Sequence, residues 1–248
     1  MLYVEGASGI SGDMTVGALL SLGASRERLD AALASLRLED EFSYVISEKS
    51  SYGISGIDFD VQLRQRRGNR NLADVRAIID RAALTSRARA FALRAFGFVA
   101  DAEARVHGLP VEQVHFHEAG ATDSIVDIVS AAVLFDDLGE TDCVVTGLTE
   151  GTGTVRCARG ELPVPVPAVL NIAAATGIPL RPCGIRCELV TPTGIALAAT
   201  MRTTDQLPEA FRVQAIGTGL GKRDYGRPAI LRILRGTASA EKSEGERR

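Results

Sequence analysis

One short stretch in the middle of the chain changes its hydrophobic period part-way, and this change constrains the fold more than any other feature. Val114 to His117 alternates apolar and polar residues, as a half-buried strand does. Residues two apart on a strand share a face, so His115 and His117 are predicted to point the same way. The apolar residues then recur at helical spacing, with Thr122 or Asp123 as the natural N-cap. The stretch therefore predicts a strand that leads directly into a helix.

The polar residues of this stretch are of the types that bind divalent cations. Glu118, Asp123 and Asp127 follow the two histidines within ten residues. Asp123 and Asp127 share one helical face, where like charges repel by about 0.2–0.5 kcal/mol unless something offsets them. Imidazoles beside carboxylates suit a hard-to-borderline cation. The alternative is a pair of hydrogen-bonded surface histidines, a capping Asp123 and a solvated Asp127, and the spacing leaves both interpretations open.

Two glycine-containing loops are candidates for binding phosphate. The first joins a strand at Leu2–Val4 to a helix at Met14–Leu22, and such a loop can hold a phosphate on backbone N–H groups. It matches neither the P-loop nor the dinucleotide-binding motif, so a structural turn is an equally good interpretation. The second loop, residues 217–223, carries Lys222 and could instead be a flexible hairpin connection. The candidate residues of the first loop are Ser8, Gly9, Ser11, Gly12 and Asp13.

Hydrophobic patterns divide the rest of the chain into helices and strands. Some strands are adjacent and others are separated by helices, so we expect an α/β or α+β fold with a mixed β-sheet and packed helices. The predicted helices are Arg26–Leu36, Leu72–Arg81, Ser86–His107, Ala168–Ala175 and one that starts at Pro192 after Thr191 as its cap. The predicted strands are Phe42–Ser47, Ile57–Leu63, Cys143–Leu148, Arg212–Ile216 and Ala229–Leu234.

Composition excludes several classes of protein. The net charge of −3 gives no basic field for nucleic acid or for an anionic membrane. We find no apolar run of about 18 residues, as a membrane span requires, and the N-terminus lacks the features of a signal peptide. A cytoplasmic protein with reduced cysteines is the resulting expectation.

A series of segments resembles one family, the LarC-type nickel-insertion proteins. The matching segments occur in the same order as in the family and extend over roughly residues 1–236. Such an ordered series is far more specific than any single motif. The segments are residues 8–14, 102–108, 114–118, 123–129, 157–160, 162–165, 188–194 and 217–231.

The resemblance implies a reaction. Family members insert Ni²⁺ into pyridinium-3,5-bisthiocarboxylic acid mononucleotide, which forms the nickel-pincer cofactor of lactate racemase, as CTP-dependent nickel cyclometallases of the lyase class. In the full-length family, CTP and its divalent metal belong to a C-terminal domain. Residues 1–236 are therefore expected to form the N-terminal domain or a separately encoded half, and residues 237–248 a disordered tail or linker.

The resemblance leaves the partners open. A polypeptide carrying the C-terminal half would be one partner, and a homo-oligomer is a further option. The alternative function is a non-catalytic nickel-binding or scaffold module that requires a CTP-binding partner chain. An unrelated Mg²⁺-dependent phosphate-ester enzyme would require Mg²⁺ to outcompete nickel at a site with two histidines.

The residue types, together with the matching positions His115, His117 and Glu118, suggest which residues act. Arg159 and the residues 67–71 replace histidines that are common in the family, so metal contacts from those positions are not carried over. The expected nickel ligands are His115, His117, Glu118, Asp123 and Asp127, and the candidates for taking the proton of the ring carbon are His117 and Glu118. The expected contacts to the substrate phosphate are Ser8, Gly9, Ser11, Gly12, Asp13 and Lys222.

Overall fold

The computed structural model describes residues 1–65, 70–116, 122–157 and 160–238. Its helices are α1 (Gly12–Ser21), α2 (Arg26–Ser35), α3 (Leu72–Arg81), α4 (Ser86–His107), α5 (Thr122–Asp137), α6 (Pro167–Thr176) and α7 (Pro192–Met201). Its strands are β1 (Leu2–Gly6), β2 (Phe42–Ser51), β3 (Ile54–Leu63), β4 (Cys143–Glu150), β5 (Thr154–Cys157), β6 (Gly160–Pro163), β7 (Leu180–Pro182), β8 (Phe211–Leu220) and β9 (Ile230–Ala238).

Seven of these strands form one mixed sheet in the order β2-β3-β8-β9-β1-β4-β7, while β5 and β6 form a separate hairpin. Strand β1 is parallel to β4 and antiparallel to β9. One face of the sheet packs on helices. This packing buries Leu2, Val4, Leu231 and Ile233 fully in the core. The mixed sheet with packed helices confirms the predicted fold class.

Helix α1 lies directly on the sheet, and glycines of β8 make this approach possible. A Cβ on Gly219 would lie 1.8 Å from the carbonyl oxygen of Met14, and one on Gly217 would lie 2.1 Å from that of Ala18. The prediction of a loop over residues 217–223 is therefore wrong in extent, since β8 continues to Leu220. These glycines serve close packing between a helix and a strand.

The hairpin of β2 and β3 is longer than predicted. The two strands pair from Phe42 opposite Leu63 to Ser51 opposite Ile54. Only Tyr52 and Gly53 connect them, and both have positive φ, at 50° and 81°. This is the backbone geometry of a two-residue hairpin turn. The predicted strands Phe42–Ser47 and Ile57–Leu63 are therefore each extended as far as this turn.

The cap prediction for α7 is confirmed, as is the end of the helix predicted at Ser86–His107. The Thr191 hydroxyl accepts a hydrogen bond from the Gly194 backbone N–H at 3.0 Å, and Pro192 is the first residue of α7. Helix α4 ends at His107, and Gly108 follows in the left-handed conformation. Ser11 is the N-cap residue of α1, but its side chain does not accept a capping hydrogen bond.

Of the predicted strand at Val114–His117, the described residues 114–116 contribute one isolated bridge, and His117 lies outside the described residues. His115 pairs with Asn71, and the Phe116 N–H donates to the Arg70 carbonyl oxygen at 2.9 Å. Asn71 also caps α3, so the neighbouring backbone becomes helical there and a longer ladder cannot form. The alternation in burial is nevertheless confirmed, because Val114 and Phe116 are fully buried and His115 is exposed.

The C-terminal strand passes the predicted domain boundary at residue 236. Thr237 pairs with Arg212 and Ala238 with Phe211, so β9 extends to Ala238. Residues 239–248 lie outside the described residues, and the division into domain and tail stays a prediction. Within the described ranges, no helix has the length and apolar character needed to cross a membrane.

Candidate functional site

Three elements bring charged residues together at one end of the sheet. Asp13 lies in the first turn of α1, Asp123 and Asp127 lie at the start of α5, and Lys222 follows β8. Helices α1 and α5 pack against each other, and α1 also packs on β8. The structure therefore brings the acidic residues of the central stretch next to residues of both predicted phosphate loops.

Asp127 is the residue at the centre of this cluster. Its Oδ1 atom is buried and has no hydrogen-bond partner among the described residues. Burial is the main cause that raises the pKa of this carboxyl group well above its ordinary value, and the negative charges of Asp13 and Asp123 add to it, against the opposing charge of Lys222. A buried carboxyl group in this state calls for a proton or a metal ion as its partner.

Gly12 admits the Asp127 side chain to this position. A Cβ on Gly12 would lie 2.3 Å from Asp127 Oδ2 and 2.7 Å from Asp127 Cβ. The approach leaves no space for any side chain at position 12. In the structure the small size of Gly12 makes room for the Asp127 carboxyl group, and the predicted contact of Gly12 with phosphate stays a prediction.

Lys222 is held by acidic neighbours. Its ammonium nitrogen lies 2.6 Å from Asp60 Oδ1 and 3.7 Å from Asp13 Oδ2. Burial acts to lower the pKa of Lys222, but the hydrogen bond to Asp60 and the charges of Asp13, Asp60 and Asp127 together raise it. The hydrogen bond from Lys222 is in turn the main reason that the pKa of Asp60 is lowered. Lys222 therefore remains charged, and its charge is compensated within the protein.

The first phosphate loop already uses several of its donors. The Gly9 N–H donates to the Gly6 carbonyl oxygen at 3.3 Å, and the Ile10 N–H donates to that of Leu189 at 2.9 Å. The Ser11 hydroxyl donates to Asp13 Oδ1, which also accepts from the Met14 N–H at 2.9 Å. The negative charge at this end of α1 favours a cation over a phosphate. The phosphate contacts of this loop stay a prediction.

Ser8 and Gly9 lie at the opposite end of the same loop. The Ser8 carbonyl oxygen accepts a hydrogen bond from the Tyr225 hydroxyl at 3.3 Å. Gly9 has φ of +87°, and a Cβ there would lie 2.1 Å from the Leu189 carbonyl oxygen. The loop is thus packed between residues 189–190 and the connection that follows β8.

The predicted ligands are only partly covered by the described residues. His117 and Glu118 lie outside them. His115, Asp123 and Asp127 are described, but within the described part of the chain no group of three or more His, Cys, Asp or Glu residues could hold a metal ion. The nickel ligand set therefore stays a prediction, and Asp13 is a further acidic residue whose charge acts on Asp127.

Sequence reasoning missed a buried ion pair that fixes the start of α5. Arg70 Nη2 donates to Glu41 Oε1 at 2.7 Å and to Oε2 at 2.6 Å, and its Nη1 donates to the Thr122 hydroxyl at 3.1 Å. The Thr122 hydroxyl donates to Glu41 Oε2 at 2.7 Å. Arg70 also accepts the backbone bond from Phe116, so it contacts both sides of residues 117–121. The sequence signal was ambiguous, because Arg70 stands among arginines that suggest a solvated loop.

Glu150 is a second residue that sequence reasoning missed. It is fully buried at the end of β4, and its Oε1 accepts from the N–H groups of Gly151, Leu189 and Val190 at 2.7, 2.8 and 3.2 Å. Burial raises the pKa of Glu150 above its ordinary value, although these three bonds act to lower it. Glu150 thereby positions the segment that hydrogen-bonds Ile10. The available signal was one acidic residue at the end of an otherwise apolar strand.

The comparisons with known proteins identify the family. A family model described as nickel insertion protein matches residues 2–247. The chain belongs to this family. The family match confirms the resemblance found in the sequence.

Curated members of the nickel insertion family resemble the chain along nearly all of its length. A protein of Alkaliphilus metalliredigens named pyridinium-3,5-bisthiocarboxylic acid mononucleotide nickel insertion protein is 43% identical over 93% of the chain. Putative nickel insertion proteins of Synechocystis and Myxococcus xanthus are each 39% identical, over 95% and 99% of the chain. The chain spans 59%, 58% and 63% of the lengths of these three relatives. No solved structure shows a significant match.

Proposed function

We propose that this chain is the nickel-binding and substrate-binding part of the machinery that inserts Ni²⁺ into pyridinium-3,5-bisthiocarboxylic acid mononucleotide. The family match and the name of the Alkaliphilus relative support this substrate. The chain corresponds to about three fifths of that relative. The product of the reaction would be the nickel-pincer cofactor of lactate racemase.

The observation that carries the proposal is the buried, unpaired oxygen of Asp127. Asp13 and Asp123 place further negative charge around it. A divalent cation would give this oxygen a partner and offset the mutual repulsion of the carboxylates. Imidazole ligands from His115 and His117 would complete a mixed set that suits nickel, with Glu118 as a further carboxylate.

The reaction also needs a base. A bond between nickel and the ring carbon replaces a carbon–hydrogen bond, so a proton must leave the ring. We propose His117 or Glu118 as its acceptor. Nickel is the cargo of this reaction, and the ligands must release it to the two sulfur atoms and the carbon of the substrate.

We further propose that insertion depends on CTP and belongs to the lyase class. The family resemblance supports both statements, and it assigns CTP and its divalent metal to a C-terminal domain. That domain would act on the same polypeptide or on a partner chain. The number of copies of the chain in the active complex is left open.

Calorimetric titration with NiCl₂ tests the nickel site. We expect Asp127→Asn and the double variant His115→Ala/His117→Ala to bind nickel at least about tenfold more weakly than the wild type, because each removes ligand atoms. Asp101→Asn is the matched control, since Asp101 is exposed on α4 and the same charge is removed. Equal nickel affinity in the wild type and both site variants would remove this site from consideration.

A further inference from the structure

Arg227 lies in the connection between β8 and β9 and has buried nitrogen atoms without a partner. Its Nε and Nη2 are buried, and neither donates a hydrogen bond to any described residue. These two N–H groups share one edge of the guanidinium, which can bind a carboxylate or phosphate side-on. Arg232 uses the same two atoms to hold Glu5, with Nη2 2.7 Å from Oε1. The corresponding edge of Arg227 has no such acid among the described residues.

The other basic residues of this region are already paired. Lys49 lies 2.5 Å from Asp58, Lys222 lies 2.6 Å from Asp60, and Arg223 Nη2 lies 3.1 Å from Glu188. Buried polar groups in proteins are nearly always hydrogen-bonded, and one that is not calls for an explanation, such as an ordered water or a bound ion. Arg227 therefore differs from the neighbouring basic residues because two of its N–H groups have no acidic partner in the described part of the chain, and an anion site requires such donors.

Arg227 is placed close to the first phosphate loop through Tyr225. Its guanidinium carbon lies 6.0 Å from the centre of the Tyr225 ring, and the Tyr225 hydroxyl donates to the Ser8 carbonyl oxygen. The Gly226 N–H donates to Asp224 Oδ1 at 3.0 Å, and Asp224 also accepts from the Tyr52 hydroxyl at 2.6 Å. The residues just before Arg227 are thus held by hydrogen bonds to Ser8 and to Tyr52.

We propose that the Nε and Nη2 edge of Arg227 binds the phosphate group of a pyridine mononucleotide. This inference rests on the proposed function for the identity of the substrate. The acidic cluster of Asp13, Asp123 and Asp127 repels a phosphate, so the phosphate end of the substrate lies away from it. Arg227 then takes the role that the sequence suggested for Lys222, whose charge is compensated by acids.

Calorimetry with three ligands tests the inference. Wild type, Arg227→Lys and Arg232→Lys are titrated with nicotinic acid mononucleotide, with nicotinic acid riboside and with inorganic phosphate. Lysine keeps the charge but lacks the two-donor edge. We expect Arg227→Lys to lower the affinity for the mononucleotide about 10- to 100-fold, the range for loss of hydrogen bonds to a charged group. The affinity for the riboside, which has no phosphate, should stay the same.

Arg232→Lys is the control, because it breaks the same side-on geometry in an internal ion pair and should leave both affinities unchanged. Equal binding of the mononucleotide by wild type and Arg227→Lys overturns the inference. An equal loss for mononucleotide and riboside also overturns it, because the edge would then recognise the ring carboxylate. The inference is also overturned if the wild type does not bind the mononucleotide.

A second variant, Arg227→Gln, keeps the inference testable if Arg227→Lys folds poorly. Melting temperatures of wild type, Arg227→Lys and Arg227→Gln are compared in phosphate and in chloride at equal ionic strength, since a ligand that binds the folded state raises the melting temperature. We expect phosphate to stabilise the wild type only. Stabilisation of either variant to the same extent overturns the inference. Nickel titration is independent of Arg227, so loss of nickel binding with intact mononucleotide binding would reject the proposed function alone.

Discussion

At the scale of single residues, two buried carboxyl groups, those of Asp127 and Glu150, have different surroundings and different roles. Each has one buried oxygen without a hydrogen-bond partner among the described residues, but Asp127 lies next to other acids, whereas the second oxygen of Glu150 binds three backbone N–H groups. The neighbouring acids make the first arrangement suitable for a cation. The second positions a loop, and Glu150 gives a test that does not involve nickel.

Glu150→Gln is predicted to change the pH dependence of stability. The pKa of Glu150 is raised in the folded state, so its contribution to stability is full below the unfolded pKa of about 4.3 and is lost as pH rises through the folded pKa. Glutamine keeps the accepting oxygen and does not titrate. The free energy of unfolding of the variant minus that of the wild type should therefore increase from pH 4 to pH 7, as measured by denaturant titration. A difference that stays constant or falls over this range would contradict the assignment.

At the scale of elements, close approach between backbones depends on glycine. Gly219→Ala is predicted to destabilise the protein by about 1–3 kcal/mol or more, because the new methyl group meets the Met14 carbonyl oxygen in the helix that packs on the sheet. Gly97→Ala is the control, since its Cβ would meet nothing within 4 Å in α4. That change should stabilise by about 0.5–1 kcal/mol. Chemical denaturation measures both, and equal effects would show that packing of α1 on β8 does not explain the cost.

The start of α5 depends on the buried pair of Arg70 and Glu41. Glu41→Ala is predicted to lower the free energy of unfolding by about 3–5 kcal/mol, because it leaves the Arg70 charge buried without a partner. The double change Glu41→Leu/Arg70→Met should be much less destabilising, since no charge is left behind. Denaturant unfolding of the three proteins checks this. A double variant as unstable as Glu41→Ala would show that the ion pair itself, and not the unpaired charge, sets the cost.

Elements could be predicted well where the cause of the structure is local. Helix α4 and its Gly108 cap, or Thr191 and Pro192 at the start of α7, follow from neighbouring residues alone. Gly217 and Gly219 were assigned to a loop, because a pattern of glycines does not distinguish a turn from a contact with a distant helix. The site followed the same rule: Asp127 was found from its spacing, but Arg70 and Glu41 act through contacts that no local pattern reveals.

At the scale of the whole molecule, the sheet joins distant parts of the chain. Strand β9 lies between β8 and β1, and β1 pairs on its other side with β4. The sequence indicated the strands and the mixed class, but a hydrophobic pattern contains no information on which distant strands pair. The strand order could therefore be known only from the structure.

Truncation after β9 and truncation before β9 are predicted to affect the stability of the fold differently. A chain that ends at Ala238 should unfold at the same temperature as the full chain, because every described strand is kept. A chain that ends at Ala229 lacks β9 and should not fold, since β8 and β1 lose their common neighbour. Circular dichroism during heating measures both. Cooperative unfolding of the shorter chain would contradict the central role of β9.

The position of β9 also has a consequence for biosynthesis. The N-terminal ammonium group lies 3.1 Å from the Gly236 carbonyl oxygen, so the first residue of the chain is held by one that the ribosome adds some 235 residues later. Until then, β1 and β8 each expose an unpaired edge in the nascent chain, and such edges recruit other strands. Contacts of this sequence separation form slowly. Nascent chains of this protein should therefore need protection from aggregation until translation has passed β9.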